Sequence, residues 1–310
     1  MAKAAALSFP VPDTAKQSES GLSWKEMVMI SWIPIAVLGI IGNGIVFYFF
    51  WYRRKTSRFF LYFQNITIAN FSVLIYVFVY FHRLFLRIRI KNVFEHFVQT
   101  VQLLGDNTRF YLLAAICVER YLLVFRSVWV KTRRPQYTSA VVVSIVWVLA
   151  GMVSTVDHLA CSPAFFVTTF EFELYCVSFT VLRIILEIGI ILITIIFCTV
   201  AILKQILTQP MPPVRLDVTI VATALLYLLT DAPTRIVYEF SVWLDIDGFA
   251  LILMTQLFDT INCAVVPFIF LIVGCWKKTS DEPVNLFLER ALAFEENKVE
   301  GTQGIQGARA

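Results

Sequence analysis

The sequence predicts an all-α membrane protein, a seven-transmembrane helix bundle with a short amphipathic C-terminal helix. Three observations carry this reading. Of the 310 residues, 58% belong to the set AVILMFWYC and only 15% are charged, against roughly 45–50% apolar and about 25% charged in an ordinary soluble domain. Seven stretches are long and apolar enough to cross about 30 Å of hydrocarbon, which takes about 20 residues at about 1.5 Å each. Basic residues gather on alternate connections between those stretches. Together with a mean hydropathy of +0.74, the composition excludes a soluble enzyme, a disordered chain and a fibre.

The expected spans are 29–51, 59–82, 97–125, 139–160, 178–203, 217–240 and 249–275. Backbone polar groups in lipid need partners within their own segment, so these runs are helices; they are too long and unbroken for barrel strands. The third and sixth carry charges but are flanked by apolar residues. There is no repeat of fixed period and no pair of inverted halves such as marks many transporters. The chain divides into a tail at 1–28, a bundle at 29–276 and a terminal part at 277–310. In that part Asp281, Glu282 and Pro283 start a helix. Val284, Phe287, Leu288, Ala291 and Leu292 give it one apolar face to lie on the membrane surface.

Orientation follows from the basic residues. Arg53, Arg54, Lys55, Arg58, Arg126, Lys131, Arg133, Arg134, Lys204, Arg215, Lys277 and Lys278 flank one side, twelve in all. Lys25, Arg83, Arg87, Arg89 and Lys91 make five on the other. The richer side is cytoplasmic, which leaves the N-terminus outside. No enzyme is expected: there is no HExxH, no CxxC and no phosphate-cradling glycine loop. No cofactor, metal or nucleic-acid partner is expected either. His82, His96 and His158 are scattered, and no lysine lies between Phe249 and Gly274 to hold a retinal.

Ionisable residues inside a bilayer are costly and should face the interior in pairs. Candidates are Asp106 and Arg109 in the third span, Arg183 and Glu187 in the fifth, Asp231, Arg235 and Glu239 in the sixth, and Asp259 in the seventh. Asp106 and Arg109 are three apart, and Arg183–Glu187 and Arg235–Glu239 four apart, so pairing along one helix would neutralise each pair. Acidic Glu171, Glu173, Asp245 and Asp247 lie near the outer mouth.

Five helix-embedded marks resemble a class A, rhodopsin-like, G-protein-coupled receptor. They are Gly42-Asn43 in the first span, Glu119-Arg120-Tyr121 closing the third, Trp147 in the fourth, Pro233 in the sixth and Pro267 in the seventh. Longer runs are similar to the Mas-related receptor family: Gly105 to Arg120 (GDNTRFYLLAAICVER), Arg133 to Val141 (RRPQYTSAV), Arg215 to Ile220 (RLDVTI), Phe258 to Asn262 (FDTIN) and Leu288 to Leu292 (LERAL).

The resemblance implies a multi-pass plasma-membrane receptor that binds an extracellular peptide or small cationic ligand and activates heterotrimeric G proteins. The alternative is a signalling-impaired binding or heteromerisation partner, because the Asn-Pro-x-x-Tyr pattern is here Val266 to Phe270 (VPFIF). It implies that Glu119, Arg120 and Tyr121 serve G-protein coupling, and that Cys161 and Cys176 form the disulfide in place of the usual class A bridge, whose position is Glu95. It implies a ligand contact at Asp157, with Thr180 standing where a partnering acid is usual; Asp231, Arg235, Glu239 and Asp259 of the charged interior are further candidate ligand contacts. It also implies an altered sodium site: Asn70 replaces the usual aspartate, Val266 replaces an asparagine, and the Arg109 guanidinium stands in for the ion, tethered by Asp106 and Asp259. Cys275 is a candidate for palmitoylation, whereas the glycosylation patterns at Asn65 and Asn70 fall within the second span.

Overall fold

The computed structural model describes residues 24–52, 58–86, 92–126, 135, 137–161, 169–209, 214–240 and 248–275. The tail before 24, most of the basic connections and everything after 275, including the expected terminal helix, lie outside the described residues, as does the side chain of Cys275. Seven helices run through the described residues: α1 Trp24–Tyr52, α2 Arg58–Leu86, α3 Asn92–Phe125, α4 Thr138–Ala160, α5, α6 Arg215–Phe240 and α7 Gly248–Cys275. The fifth, α5, is continuous from Thr169–Ile184 through a π-helical stretch, Ile185–Leu192, to Ile193–Thr208. No strand occurs among the described residues.

Each helix contains its expected span, and several run past it. The largest difference is at α5, which starts at Thr169 rather than near 178. Apolarity marks only the lipid-crossing part; backbone hydrogen bonding carries the helix on through more polar residues. Six of the seven helices are apolar enough to cross a membrane by length and composition. The exception is α3, which carries Asp106, Arg109, Glu119 and Arg120. Its position accounts for this, since α3 packs against α2, α4, α5 and α6 and turns those charges toward protein rather than lipid.

The outward faces show the reverse pattern. Leu38, Ile41 and Ile45 on α1 and Ile145, Val148 and Met152 on α4 are exposed large apolar residues, a lipid-facing stripe at helical spacing. The buried core includes Phe50, Phe63, Phe110, Leu112, Ile116 and Phe270.

Small residues set the closest approaches. A Cβ at Gly105 would stand 2.8 Å from both the Ala69 carbonyl oxygen and the Ser72 Cβ, so α3 lies against the backbone of α2 there. Gly105→Ala is therefore expected to push the two helices apart and cost about 1–3 kcal/mol, read as a lower melting temperature of the solubilised protein. Gly42 has a similar role against α7, where a Cβ would meet Pro267 at 3.2 Å.

Pro233 removes a backbone donor within α6. Nearby hydroxyls bond to carbonyls of that turn: Thr230 donates to the Leu226 oxygen at 2.8 Å and Thr234 to the Asp231 oxygen at 2.9 Å.

Candidate functional site: a buried arginine–carboxylate network

The ionisable residues of α3 to α7 converge in the bundle interior. Arg109 on α3 is 4% exposed. One guanidinium nitrogen lies 2.7 Å from Asp106 of α3, 2.7 Å from Asp231 of α6 and 2.8 Å from Asp259 of α7. Its Nε also donates to Asp106 at 2.9 Å, and its second terminal nitrogen reaches the Cys263 sulfur at 3.2 Å. The three carboxylates have oxygens within 4.8 Å of one another, a spacing that suits a cation, and the chain's own guanidinium fills it.

Arg235 on α6 forms the next link. It bonds to Asp106 of α3 and Glu187 of α5, donates to the Asn107 amide oxygen at 3.1 Å, and lies over the Phe110 ring at 4.7 Å. Glu187 is fully buried and accepts a hydrogen bond from the Tyr111 hydroxyl at 2.9 Å. Nearer the disulfide, Arg183 of α5 binds Asp157 of α4 at 2.8 Å and Glu239 of α6 at 2.9 Å. Three arginines thus meet six carboxylates from five helices, and the cluster carries a formal excess of negative charge.

Pairing along single helices holds for Asp106 and Arg109 and fails for the other two pairs. Arg183 bonds to Asp157 and Glu239, not Glu187; Arg235 bonds to Asp106 and Glu187, not Glu239. Sequence spacing describes neighbours on an isolated helix, whereas here the acid on the facing helix is nearer. The π-helical stretch that begins just before Glu187 also re-aims that side chain relative to Arg183.

The residues of the expected sodium site are only partly together. Asp106, Arg109 and Asp259 meet, and Asp231 joins them. Asn70 is outside this contact: its amide donates to the Asn43 oxygen at 3.0 Å, and Asn43 in turn donates to the Cys263 carbonyl at 2.9 Å. Val266 is buried in the apolar core, and Phe270 packs edge-on against Phe63 with ring centres 5.0 Å apart. Thr180 is buried, and its hydroxyl donates to the Cys176 carbonyl at 2.8 Å. Cys161 and Cys176 are joined, tying the end of α4 to α5. In α2, Asn65 accepts from the Trp147 indole at 2.9 Å.

At the opposite end, Arg120 of α3 makes a two-pronged contact with Asp217 of α6, one arm at 2.8 Å. Glu119 accepts from the Tyr62 hydroxyl of α2 at 2.7 Å, and Tyr121 packs against Phe197 of α5 with ring centres 5.5 Å apart. Asp217 and Tyr62 were not among the expected site residues. The available signal for Asp217 was an acid in the first turn of the sixth span, beside the same loop side as Arg120.

A seven-helix bundle with charged residues in its interior, a disulfide at one end and an acid–arginine–aromatic triplet fastened to the sixth helix at the other is the arrangement that the resemblance to class A receptors implies. No family model matches the chain. It is 26% identical to the human proto-oncogene Mas (Homo sapiens) over 91% of this chain and 89% of that protein. It is 27% identical to Mas-related G-protein coupled receptor member A of Rattus norvegicus, over 88% of this chain and 91% of that one. With the human member X2 the identity is 28% over 83% and 80%. Over most of its length the chain is similar to Mas and the Mas-related G-protein-coupled receptors, which supports a multi-pass receptor of the plasma membrane and not an enzyme.

Proposed function

We propose that this receptor takes up an extracellular peptide or small cationic ligand at its disulfide-bearing end and, in response, activates heterotrimeric G proteins at the Arg120 end, with its N-terminus outside. The observation that carries the coupling half is the Arg120–Asp217 contact. It fastens α3 to α6 across the face a G protein would enter, so a ligand that favours separation of the two helices shifts the population toward the open state. Glu119, Arg120 and Tyr121 are the coupling residues in this reading. Phe270 and Val266, in place of the usual tyrosine and asparagine, offer no polar group on α7, so in this reading opening acts on the Arg120–Asp217 contact.

The ligand half rests on charge. The interior of the disulfide-bearing half holds more carboxylates than guanidiniums, and a cation entering there replaces water with fixed negative charge. Asp157, Glu239, Asp231 and Asp259 are the acidic contacts in this reading, with Thr180 and Arg235 beside them. Asp157 is held by Arg183, so a ligand cation competes with that side chain. Asp157→Asn is expected to weaken a cationic agonist at least several-fold in a concentration–response series; an unchanged midpoint removes Asp157 from the site.

Guanine-nucleotide exchange on heterotrimeric G proteins by the purified receptor tests the whole reading, against a screen of basic peptides with Arg120→Ala as control. Exchange above the control supports a signalling receptor. Ligand binding without exchange supports the alternative, a binding or heteromerisation partner.

A further inference from the structure

We propose that Asp106, Glu187 and the Phe110 ring form a guanidinium-binding subsite, filled in the resting receptor by the chain's own Arg235 and opened when a ligand's guanidinium group exchanges with it. This rests on the reading of the chain as a receptor for a cationic ligand and names a chemical group for it.

The walls of the subsite come from α3 and α5 and its occupant from α6. Asp106 and Glu187 hold opposite arms of the Arg235 guanidinium, the Asn107 oxygen takes a further N–H at 3.1 Å, and the Phe110 ring lies 4.7 Å from the guanidinium carbon. Two carboxylates spanned by a planar fork, with an aromatic face against it, select a guanidinium over a compact ammonium. The walls are held independently of Arg235. Tyr111 fixes Glu187 at 2.9 Å, Asn107 donates to the Ser154 hydroxyl at 3.0 Å, and Phe110 stacks on Tyr227 at 5.1 Å.

Arg235 and Asp106 are also the most accessible arginine and carboxylate of the network. Their side chains are 12% and 16% exposed, against 3% for Arg109. The most accessible buried pair is where an incoming cation competes first. Exchange would remove the Arg235 ties of α6 to α3 and α5 while the Arg109–Asp231, Arg183–Glu239 and Phe110–Tyr227 contacts remain, which joins ligand binding to the helix that Asp217 fastens at the other end.

The test is chemical rescue in the full-length solubilised receptor, with ethylguanidinium chloride as probe. Arg235→Ala should melt below the wild type and recover by about 3 °C in millimolar ethylguanidinium. Ethylammonium should recover less, sodium chloride of equal ionic strength should recover nothing, and adding Glu187→Gln should abolish the recovery. Where the alanine variant yields no folded receptor, Arg235→Gln serves the same comparison, its planar amide still facing Asn107. Absence of recovery, equal recovery by sodium, or recovery that survives Glu187→Gln overturns the assignment. Melting does not depend on signalling, so failure here leaves G-protein coupling standing, and failure of coupling leaves this result standing.

Discussion

Arg109→Met is expected to lower the melting temperature of the solubilised receptor by about 10 °C, the largest stability effect of any single change in the network. The substitution keeps the length and apolar stem of the side chain but removes the cation shared by three carboxylates. Asp106 keeps Arg235 as a partner; Asp231 and Asp259, both buried, lose the guanidinium that binds them. Breaking a buried ion pair from one side costs about 3–5 kcal/mol, and each kcal/mol shifts the midpoint by about 2–4 °C in a large domain. Removing the stranded charges as well should undo the damage. Arg109→Met with Asp231→Leu and Asp259→Asn should melt near the wild type, because replacing a whole buried ionic group with apolar or neutral residues is often neutral. If the triple variant melts as low as the single one, packing and not charge is what Arg109 contributes. The family resemblance adds a functional expectation for the same residue. Arg109→Ser combined with Asn70→Asp should make agonist affinity sensitive to sodium, and neither change alone should do so.

Asp217→Asn is expected to raise ligand-independent signalling about tenfold. The wild-type carboxylate accepts from Nε and one terminal nitrogen of the Arg120 guanidinium, and such charge-assisted contacts are worth about 1.5–3 kcal/mol each in net terms. About 1.4 kcal/mol is tenfold in an equilibrium constant, so losing even part of the contact moves the closed–open balance by that order. The amide of asparagine keeps the shape and one acceptor, which confines the change to charge. Second-messenger output in cells without agonist, normalised to surface expression, reads the effect. Arg120→Ala in the same assay should fall to the level of untransfected cells, because it removes the group proposed to meet the G protein as well as the lock. Equal output from wild type and Asp217→Asn would mean that this contact does not hold the receptor closed.

The fold was legible because bilayer physics leaves few options. Each expected span lies within a helix, and even α3, too charged to pass as a lipid-crossing run, is recognisable from its apolar flanks. The presence of a charged interior was legible for the same reason: Arg109, Arg183 and Arg235 have nowhere else to go in a membrane helix. Its wiring was not. Spacing along one helix correctly joined Asp106 to Arg109 but gave Arg183 to Glu187 and Arg235 to Glu239. The structure exchanges those acids between helices, because partner choice depends on helix rotation and on the π-helical stretch of α5, neither of which leaves a mark in local sequence. Asp231 likewise joins Arg109 through the approach of α6 to α3, which no one-dimensional pattern records. Asn70 shows the converse. Its place in the second span is legible in the sequence, yet its partner is Asn43 rather than the Arg109 cluster. The disulfide between Cys161 and Cys176 came from family resemblance and not from the residues alone, since two cysteines fifteen apart fit many arrangements.

In the proposed topology an odd number of membrane crossings delivers Arg120 and Asp217 to the cytosol, with the disulfide outside. Epitope labels at the two ends of the chain test it most directly. The N-terminal label should bind antibody on intact cells, and the C-terminal label only after permeabilisation. Both labels on one face of the membrane would contradict the account.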